Sequence, residues 1–382
     1  ACMGSLLRIG VGFGVGMLLG ILLGLCSTKY KLIEEILAPP MALLKAVPVA
    51  SFVVIFLIWW GSAQLATVIS FCIVFPNLYV NTLEGIKSTD RKLLEMAQVF
   101  EMPVMNRFFY IYRPALRPFW DSAIKMAAGM SWKSGVAAEV IGLPKYAIGE
   151  QLYMSKIYLD TEGVLAWTLV IVVLSIAFEK AVMYGWKSFC GWEPDCQRNM
   201  QSRSAKQSDK TLRLKNIRKA YADKRVIENM SMEYEAGKIY YFTNPSGSGK
   251  TTLFRLVAGL EKPDDGCVEK QGMSCGFLFQ EDRLCEEYSA LKNVEMIIGN
   301  RQSAKEHLLQ LLDEEDINKP CKELSGGMKR RVALVRCVAA NTDILLLDEP
   351  FNGLDEENRE CVRDYIERYR KDKIVLLASH IE

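Results

Sequence analysis

The chain divides into an α-helical membrane domain followed by an α/β domain built around a phosphate-binding loop. Three observations predict this. Apolar residues fill 50% of the 382 positions, and their excess lies before residue 186 while most of the charge follows it. Residues 244–252 read Asn244, Pro245, Ser246, Gly247, Ser248, Gly249, Lys250, Thr251 and Thr252, a glycine-rich loop suited to phosphate. A later apolar run ends on Asp348 and Glu349. The length allows two or three domains, and we place a membrane domain at 1–186, a linker at 187–210 and the α/β domain at 211–382.

A bilayer core takes about 20 apolar residues in a helix. Residues 5–26 qualify, with Arg8 near one end, and 47–60 and 64–85 follow, parted by Gly61 and Ser62. Residues 119–142 and 164–186 complete a set of about five spans, the former carrying Lys125, Lys133 and Glu139. Gly12, Gly16, Gly20 and Gly24 recur at every fourth position, a stripe on one face where a second helix comes close. Lys87, Arg91, Lys92, Arg107, Arg113 and Arg117 mark the stretch 86–118 as cytoplasmic, and Lys29, Lys31 and Lys45 mark a second cytoplasmic loop. Residue 1 then falls on the far side of the membrane. Lys133 and Glu139 are costly in lipid, so they should face the bundle interior or a partner, at a solute pathway, in an interhelical pair or at an interfacial position.

Between the third and fourth spans, Thr89 or Asp90 is placed to cap a helix. Leu93, Ala97, Phe100 and Val104 then share one face. The segment is too short and too charged to span, and reads as an amphipathic helix that docks on a protein surface.

The linker runs through Trp192, Glu193 and Pro194 into a polar tether. Leu212, Leu214 and Ile217 predict a strand, and 238–243 predict a second one feeding the glycine loop. In that loop successive backbone N–H groups cradle phosphate oxygens, helped by the N-terminus of the next helix. Gly247 and Gly249 let the backbone approach, Lys250 reaches the terminal phosphates and Thr251 offers a hydroxyl to Mg²⁺. Asn244 stands where the pattern has its first glycine, and Asn tolerates positive φ better than other side chains do. Net charge is +2, which gives no reason to expect nucleic acid. The eleven cysteines show no paired spacing and read as free thiols.

With Leu324, Ser325, Gly326, Gly327 and Met328 between the loop and Asp348, the α/β half resembles the ATPase domain of an ABC transporter. The resemblance implies that Asp348 binds Mg²⁺, Glu349 polarises the attacking water and Asn352 to Asp355 form the D-loop. It implies that Gln280 lies near the metal and that His380 contacts the γ-phosphate. It also implies that Tyr221 stacks on adenine. Ser325, Gly326 and Gly327 would bind the nucleotide held by the opposite ATPase subunit. Met328 replaces a usual glutamine, and the chain stops two residues past the histidine, where family members continue. We therefore expect a C-terminally short domain, and a natural start upstream of Ala1.

In the membrane half, Glu95-x-Ala97 followed by Ile111-x-x-Pro114 resembles the cytoplasmic loop of ABC importer permeases. Trp132, Lys133 and Val136 to Gly142 resemble the nitrate, sulfonate and taurine permeases. The family's glycine four residues after the alanine is Glu101 here, which leaves the bend open. The resemblance implies a type I importer permease fused to a P-loop ATPase, multi-pass in the cytoplasmic membrane, with the ATPase in the cytoplasm. It implies ATP and Mg²⁺ as cofactors. The implied partners are a second copy or a homologous half-transporter and an extracytoplasmic solute-binding protein. The solute would be nitrate, a sulfonate, taurine or a thiamine-precursor pyrimidine. Two other readings stand beside it: an exporter, against which the Glu95 loop argues, and a non-hydrolysing membrane scaffold derived from a transporter.

Overall fold

The computed structural model describes residues 1–190, 210–221, 224–243, 245 and 247–379. They form two units. One takes Ala1–Thr89 with the chain from Tyr112 to the last membrane helix, and the other takes Asp90–Ile111 with the chain from Lys210 onward.

In the first unit, α1 (Cys2–Lys29) and α4 (Ser62–Lys87) are each long and apolar enough to cross a membrane, as is α9 (Thr161–Cys190). The glycine stripe sets their packing. A Cβ on Gly12 would lie 2.1 Å from the Thr67 carbonyl oxygen, and one on Gly20 2.8 Å from Leu78 Cβ. One on Gly24 would lie 2.7 Å from Thr82 Cβ. Contacts climb both helices together, so α1 and α4 run parallel. Parallel spans need a return between them, and α2 (Lys31–Ala46) and α3 (Val49–Trp60) supply it as a pair bent by 108°. The break falls at Val47 and Pro48, where proline lacks an N–H and drives the preceding residue out of the helical region.

The long helix α7 (Arg113–Gly142) carries Lys125, Lys133 and Glu139 and falls short of that apolarity. It runs antiparallel to α4. A Cβ on Gly85 would meet Leu116, and one on Gly142 would meet Leu65. Glu139 faces the bundle interior, where it accepts hydrogen bonds from Ser5 Oγ at 2.5 Å and from Arg8 Nη1 at 3.4 Å. The Gly149 N–H in α8 (Ile148–Ile157) also donates to it at 3.4 Å. Glu139 therefore takes the interhelical pairing. Lys133 lies instead on the exposed face of α7. Trp132 Nε1 donates to the Ile171 carbonyl, and Trp120 meets Trp186, which fixes α9 antiparallel to α7. The helix continues to Cys190, past the expected start of the linker, and the rest of that linker before Lys210 lies outside the described residues.

The second unit begins with α5 (Arg91–Val99) and α6 (Val104–Arg107), which leads into a π-turn over Phe108–Tyr112. Strands β1 (Thr211–Tyr221), β2 (Lys224–Glu235) and β4 (Asp265–Glu269) make an antiparallel sheet ordered β2-β1-β4. Strands β3 (Ile239–Phe242), β5 (Cys275–Leu278), β6 (Ile344–Asp348) and β7 (Ile374–Ala378) make a parallel sheet ordered β3-β7-β6-β5. Both β6 and β7 are wholly buried, as their unbroken apolar runs demand in a sheet covered on both faces. Helices α10 (Lys250–Ala258), α11 (Ala290–Ile298), α12 (Arg301–Leu308), α13 (Glu314–Ile317), α14 (Gly326–Val338) and α15 (Glu356–Tyr369) complete the unit.

Candidate nucleotide site and docking loop

The end of β3 feeds the glycine loop, and Lys250 opens α10. Gly247 and Gly249 sit at φ 82° and 87°, in the left-handed region. Gly249 is required for space as well, since a Cβ there would lie 2.8 Å from Val226 Cγ1 and 3.0 Å from its carbonyl oxygen. The Ser248 N–H donates to the Pro245 carbonyl at 3.3 Å, tightening the turn. Pro245, Gly247 and Ser248 are exposed. The N-terminus of α10 is the positive end of the helix dipole. Asn244 and Ser246 lie outside the described residues, as does His380.

Thr251 Oγ1 donates to Asp348 Oδ2 at 2.8 Å, joining the first turn of α10 to the end of β6. Asp348 is 2% exposed. Burial raises its pKa and outweighs the lowering by Thr251, and the neighbouring Glu349 carboxylate pushes the same way as burial. A hydroxyl and a carboxylate are the hard oxygen donors that suit Mg²⁺, an ion that usually keeps only one or two protein ligands and completes its shell with phosphate and water. The donor set fits that ion.

Glu349 adopts φ 52°, and its N–H donates to the Ala378 carbonyl at 2.8 Å. A non-glycine residue there costs about 1–2 kcal/mol, and Arg330 helps to hold it. Arg330 is 4% exposed and donates to the Asp348 and Glu349 carbonyls, to the Phe279 carbonyl at 2.6 Å and to Asp282 Oδ1 at 3.0 Å. It thereby ties the acidic end of β6 to the segment after β5. Gln280 in that segment is exposed, and among the described residues no hydrogen bond links its side chain to Thr251 or Asp348. Asn352 Nδ2 lies 3.4 Å from Glu349 Oε2.

Ser325 caps α14 by accepting from the Met328 N–H at 3.3 Å, and with Gly326 it is exposed. A Cβ on Gly327 would come within 3.2 Å of the Gly353 carbonyl, so Gly327 lies against the segment read as the D-loop. Met328 packs on the hydrophobic core, which accounts for an apolar residue at that position.

The loop Asp90–Ile111 sits on this nucleotide-site region of its own unit. Asp90 caps α5 by accepting from the Lys92 N–H. Met96, Ala97, Val99 and Phe100 are buried, and Leu93 packs against the same core. Full burial of Met96 or Phe100 is worth about 1.5–3 kcal/mol each. Val104 does not share the face as its spacing predicted, and is 80% exposed. The periodicity breaks at Glu101, at φ 47°. The Met102 N–H donates to the Ala97 carbonyl at 2.9 Å and the Glu101 N–H to Gln98 at 3.1 Å, a Schellman closure of α5. The bend that glycine would make is thus made by glutamate.

Glu95 lies among arginines. Arg255 of α10 donates from Nη1 and Nη2 at 3.0 Å each, and Arg283 donates from Nη1 at 2.9 Å. The Arg255 hydrogen bond leads in holding the Glu95 carboxyl below its usual range, against a smaller push from burial. Arg283 stacks on Phe279, 3.6 Å from the ring centre, and Arg336 of α14 lies 5.7 Å from the Phe100 ring. One loop therefore touches the phosphate-loop helix, the segment holding Gln280 and the helix headed by Ser325.

Tyr221 ends β1, hydrogen-bonds Thr252 and Glu261 and remains 44% exposed. Sequence reasoning missed Arg255, Arg283 and Arg330. Arg255 had a signal, because a cation one turn beyond Lys250 needs a counter-charge and Glu95 is the acid on the predicted docking helix.

Residues 227–352 match the family model described as "ABC transporter". Residues 16–182 match the one described as "Binding-protein-dependent transport system inner membrane component". The chain is similar to the aliphatic sulfonates import ATP-binding protein of Rhodococcus jostii, 39% identical, over 44% of this chain and 72% of that protein. It is 36% identical to the taurine import ATP-binding protein of a Jannaschia species, over 40% of this chain and 64% of the relative. It is 34% identical to the sulfate/thiosulfate import ATP-binding protein of Nephroselmis olivacea, over 40% of this chain and 50% of the relative. The chain thus spans half to two thirds of the latter two.

Proposed function

The chain belongs to the ABC transporter family, with a binding-protein-dependent permease domain ahead of its ATPase, and we propose that it is one half of an ATP-driven importer for a small solute. The observation that carries this is the seat of Glu95 between Arg255 and Arg283. A permease loop that grips the phosphate-loop helix and the Gln280 segment is placed to exchange movement with the nucleotide site. An exporter would reach its ATPase through long helical extensions instead. Glu101 makes the bend and Met328 fills core space, so neither of these departures from the family pattern favours the scaffold reading.

In this reading the backbone of 244–249 holds the ATP phosphates, Lys250 neutralises their charge and Tyr221 stacks on the base. Thr251 and Asp348, with Gln280, would hold Mg²⁺, which would supply charge neutralisation on the phosphates. Glu349 takes a proton from the attacking water, and His380 contacts the γ-phosphate. Ser325, Gly326 and Gly327 complete the site of a second copy or homologous half, so two chains are needed. The pair lies in the cytoplasmic membrane with its ATPases inside and receives solute from an extracytoplasmic binding protein. The relatives' names favour a sulfonate, taurine or a related oxyanion as the solute. Nitrate and a pyrimidine fit the permease resemblance too.

The test is ATP turnover by the full chain in lipid. Wild type should hydrolyse Mg²⁺–ATP. Glu349→Gln should bind it, turn over at least about a hundredfold more slowly and accumulate as a nucleotide-bound dimer. Equal turnover in the two proteins overturns the assignment.

A further inference from the structure

The arginine that receives Glu95 also holds a second acid. Arg255 spends Nη1 and Nη2 on Glu95 and donates from Nε to Glu261 Oε1 at 2.5 Å. The other Glu261 oxygen accepts from the Tyr221 hydroxyl. Four side chains therefore run unbroken from the docking loop to the aromatic at the end of β1. A guanidinium is planar and donates in fixed directions, so a shift of one carboxylate along it is felt by the other. The Tyr221 ring is held at a second point, because the Lys219 ammonium lies 5.5 Å from its centre and is itself tied to Asp264 at 3.0 Å. What remains of the ring is open to solvent.

We propose that Glu261 is a positioning residue that sets the Tyr221 ring for the nucleotide base and makes its grip on the base depend on the seating of Glu95. The proposal rests on the reading of residues 244–252 as an ATP site, and adds a second route from the docking loop into it. One branch from Glu95 passes through Arg283 and Phe279 to the Gln280 segment, on the phosphate side. The other passes through Arg255 and Glu261 to the base side. Coupling of this kind is reciprocal, so a bound base also strengthens the seating of the loop.

A ligand with phosphates and no base separates the two branches. Binding of Mg²⁺–ATP and of Mg²⁺–tripolyphosphate is measured on the full chain in detergent. Wild type is compared with Glu261→Gln, Tyr221→Phe, Glu95→Gln and the Glu95→Gln/Glu261→Gln double variant. Glu261→Gln and Tyr221→Phe should each weaken ATP by about fivefold or more and leave tripolyphosphate unchanged, while Glu95→Gln, where both branches begin, should weaken ATP more than tripolyphosphate. The loss of ATP in excess of tripolyphosphate should be no larger in the double variant than in Glu261→Gln alone. Tyr221→Phe keeps the ring and removes one hydroxyl at a half-exposed site, so it tests the anchor even where Glu261→Gln disturbs folding. ATP affinity equal to wild type in Tyr221→Phe and Glu261→Gln overturns the proposal, as does equal weakening of ATP and tripolyphosphate. Additive losses of ATP in excess of tripolyphosphate in the double variant overturn the dependence on Glu95. Wild type that binds neither ligand instead overturns the ATP-site reading itself.

Discussion

Thr251 donates its hydroxyl to Asp348 across 2.8 Å, although the two residues lie 97 positions apart in the chain. In the proposed function these two side chains would hold Mg²⁺ and lower the charge on the phosphates. Asp348→Asn keeps the shape and removes the charge. ATP affinity in wild type should rise when Mg²⁺ replaces EDTA, and in Asp348→Asn that rise should vanish while the melting temperature stays close to wild type. An undiminished Mg²⁺ effect in the variant would place the metal on other residues.

Glu101 is held at φ 47° by the closure of α5. A left-handed non-glycine residue costs about 1–2 kcal/mol, and glycine adopts the conformation freely. Glu101→Gly should therefore stabilise the second unit by up to about 1 kcal/mol, after the glycine's own entropy cost is deducted. Thermal unfolding in detergent measures this, and a lower melting temperature would show that the glutamate side chain holds the bend through its own contacts.

Much of the ATPase half was legible because its chemistry is local. A strand, a glycine loop and a helix follow one another, and Gly247, Gly249, Lys250 and Thr251 are contiguous. The run Ile344 to Asp348 could be read for the same reason, as a buried parallel strand ending in an acid. The glycine stripe foretold the close approach of α1 and α4, since a four-residue spacing fixes a helix face. Val104 was misplaced because periodicity was carried past a bend that only the Glu101 backbone reveals. Arg255 and Arg330 were not found because of what holds them: Glu95 is 160 positions from Arg255, and the carbonyls that hold Arg330 carry no sequence signal at all.

The pH response of the docking loop follows from Glu95. Its carboxyl is held below the ordinary 4.5, chiefly by the hydrogen bond from Arg255. Arg283 donates to it as well, Arg91 lies 3.9 Å away one turn earlier, and Glu261 shares Arg255. A depressed acid contributes stability that is complete above the unfolded value and is lost as pH falls through the folded one. The melting temperature gap between wild type and Glu95→Gln should thus be constant above about pH 5 and shrink below it. A gap that shrinks between pH 8 and 6 would assign the effect to another group.

In the membrane unit, Gly12 is the tightest point of the α1–α4 contact, since a Cβ would lie 2.1 Å from the Thr67 carbonyl and 2.9 Å from Ser70 Cβ. A backbone carbonyl does not rotate aside, so the helices must separate. Gly12→Ala should lower the yield of folded protein and its melting temperature in detergent by an amount typical of overpacking, about 1–3 kcal/mol. Gly14→Ala is the control, as nothing lies within 4 Å of a Cβ there. Equal behaviour of the two variants would mean that α1 and α4 do not meet along this stripe.

Ala97 is fully buried in the face that α5 presents to its own unit. Its carbonyl accepts the 2.9 Å hydrogen bond from Met102 that closes the helix. An aspartate carboxylate placed there would lose its hydration. Leaving such a charge unpaired costs several kcal/mol when burial is complete, about as much as the seating of Met96 and Phe100 contributes. In Ala97→Asp the loop should therefore leave its seat while Thr251, Asp348 and Glu349, which it does not touch, stay in place. Hydrolysis of ATP should persist at its unstimulated level, and uptake of whichever of the proposed solutes wild-type cells import should collapse. Ala97→Ser, close to isosteric and uncharged, should retain most of the uptake. Normal uptake by Ala97→Asp at matched expression would show that force passes to the permease by a route other than this loop.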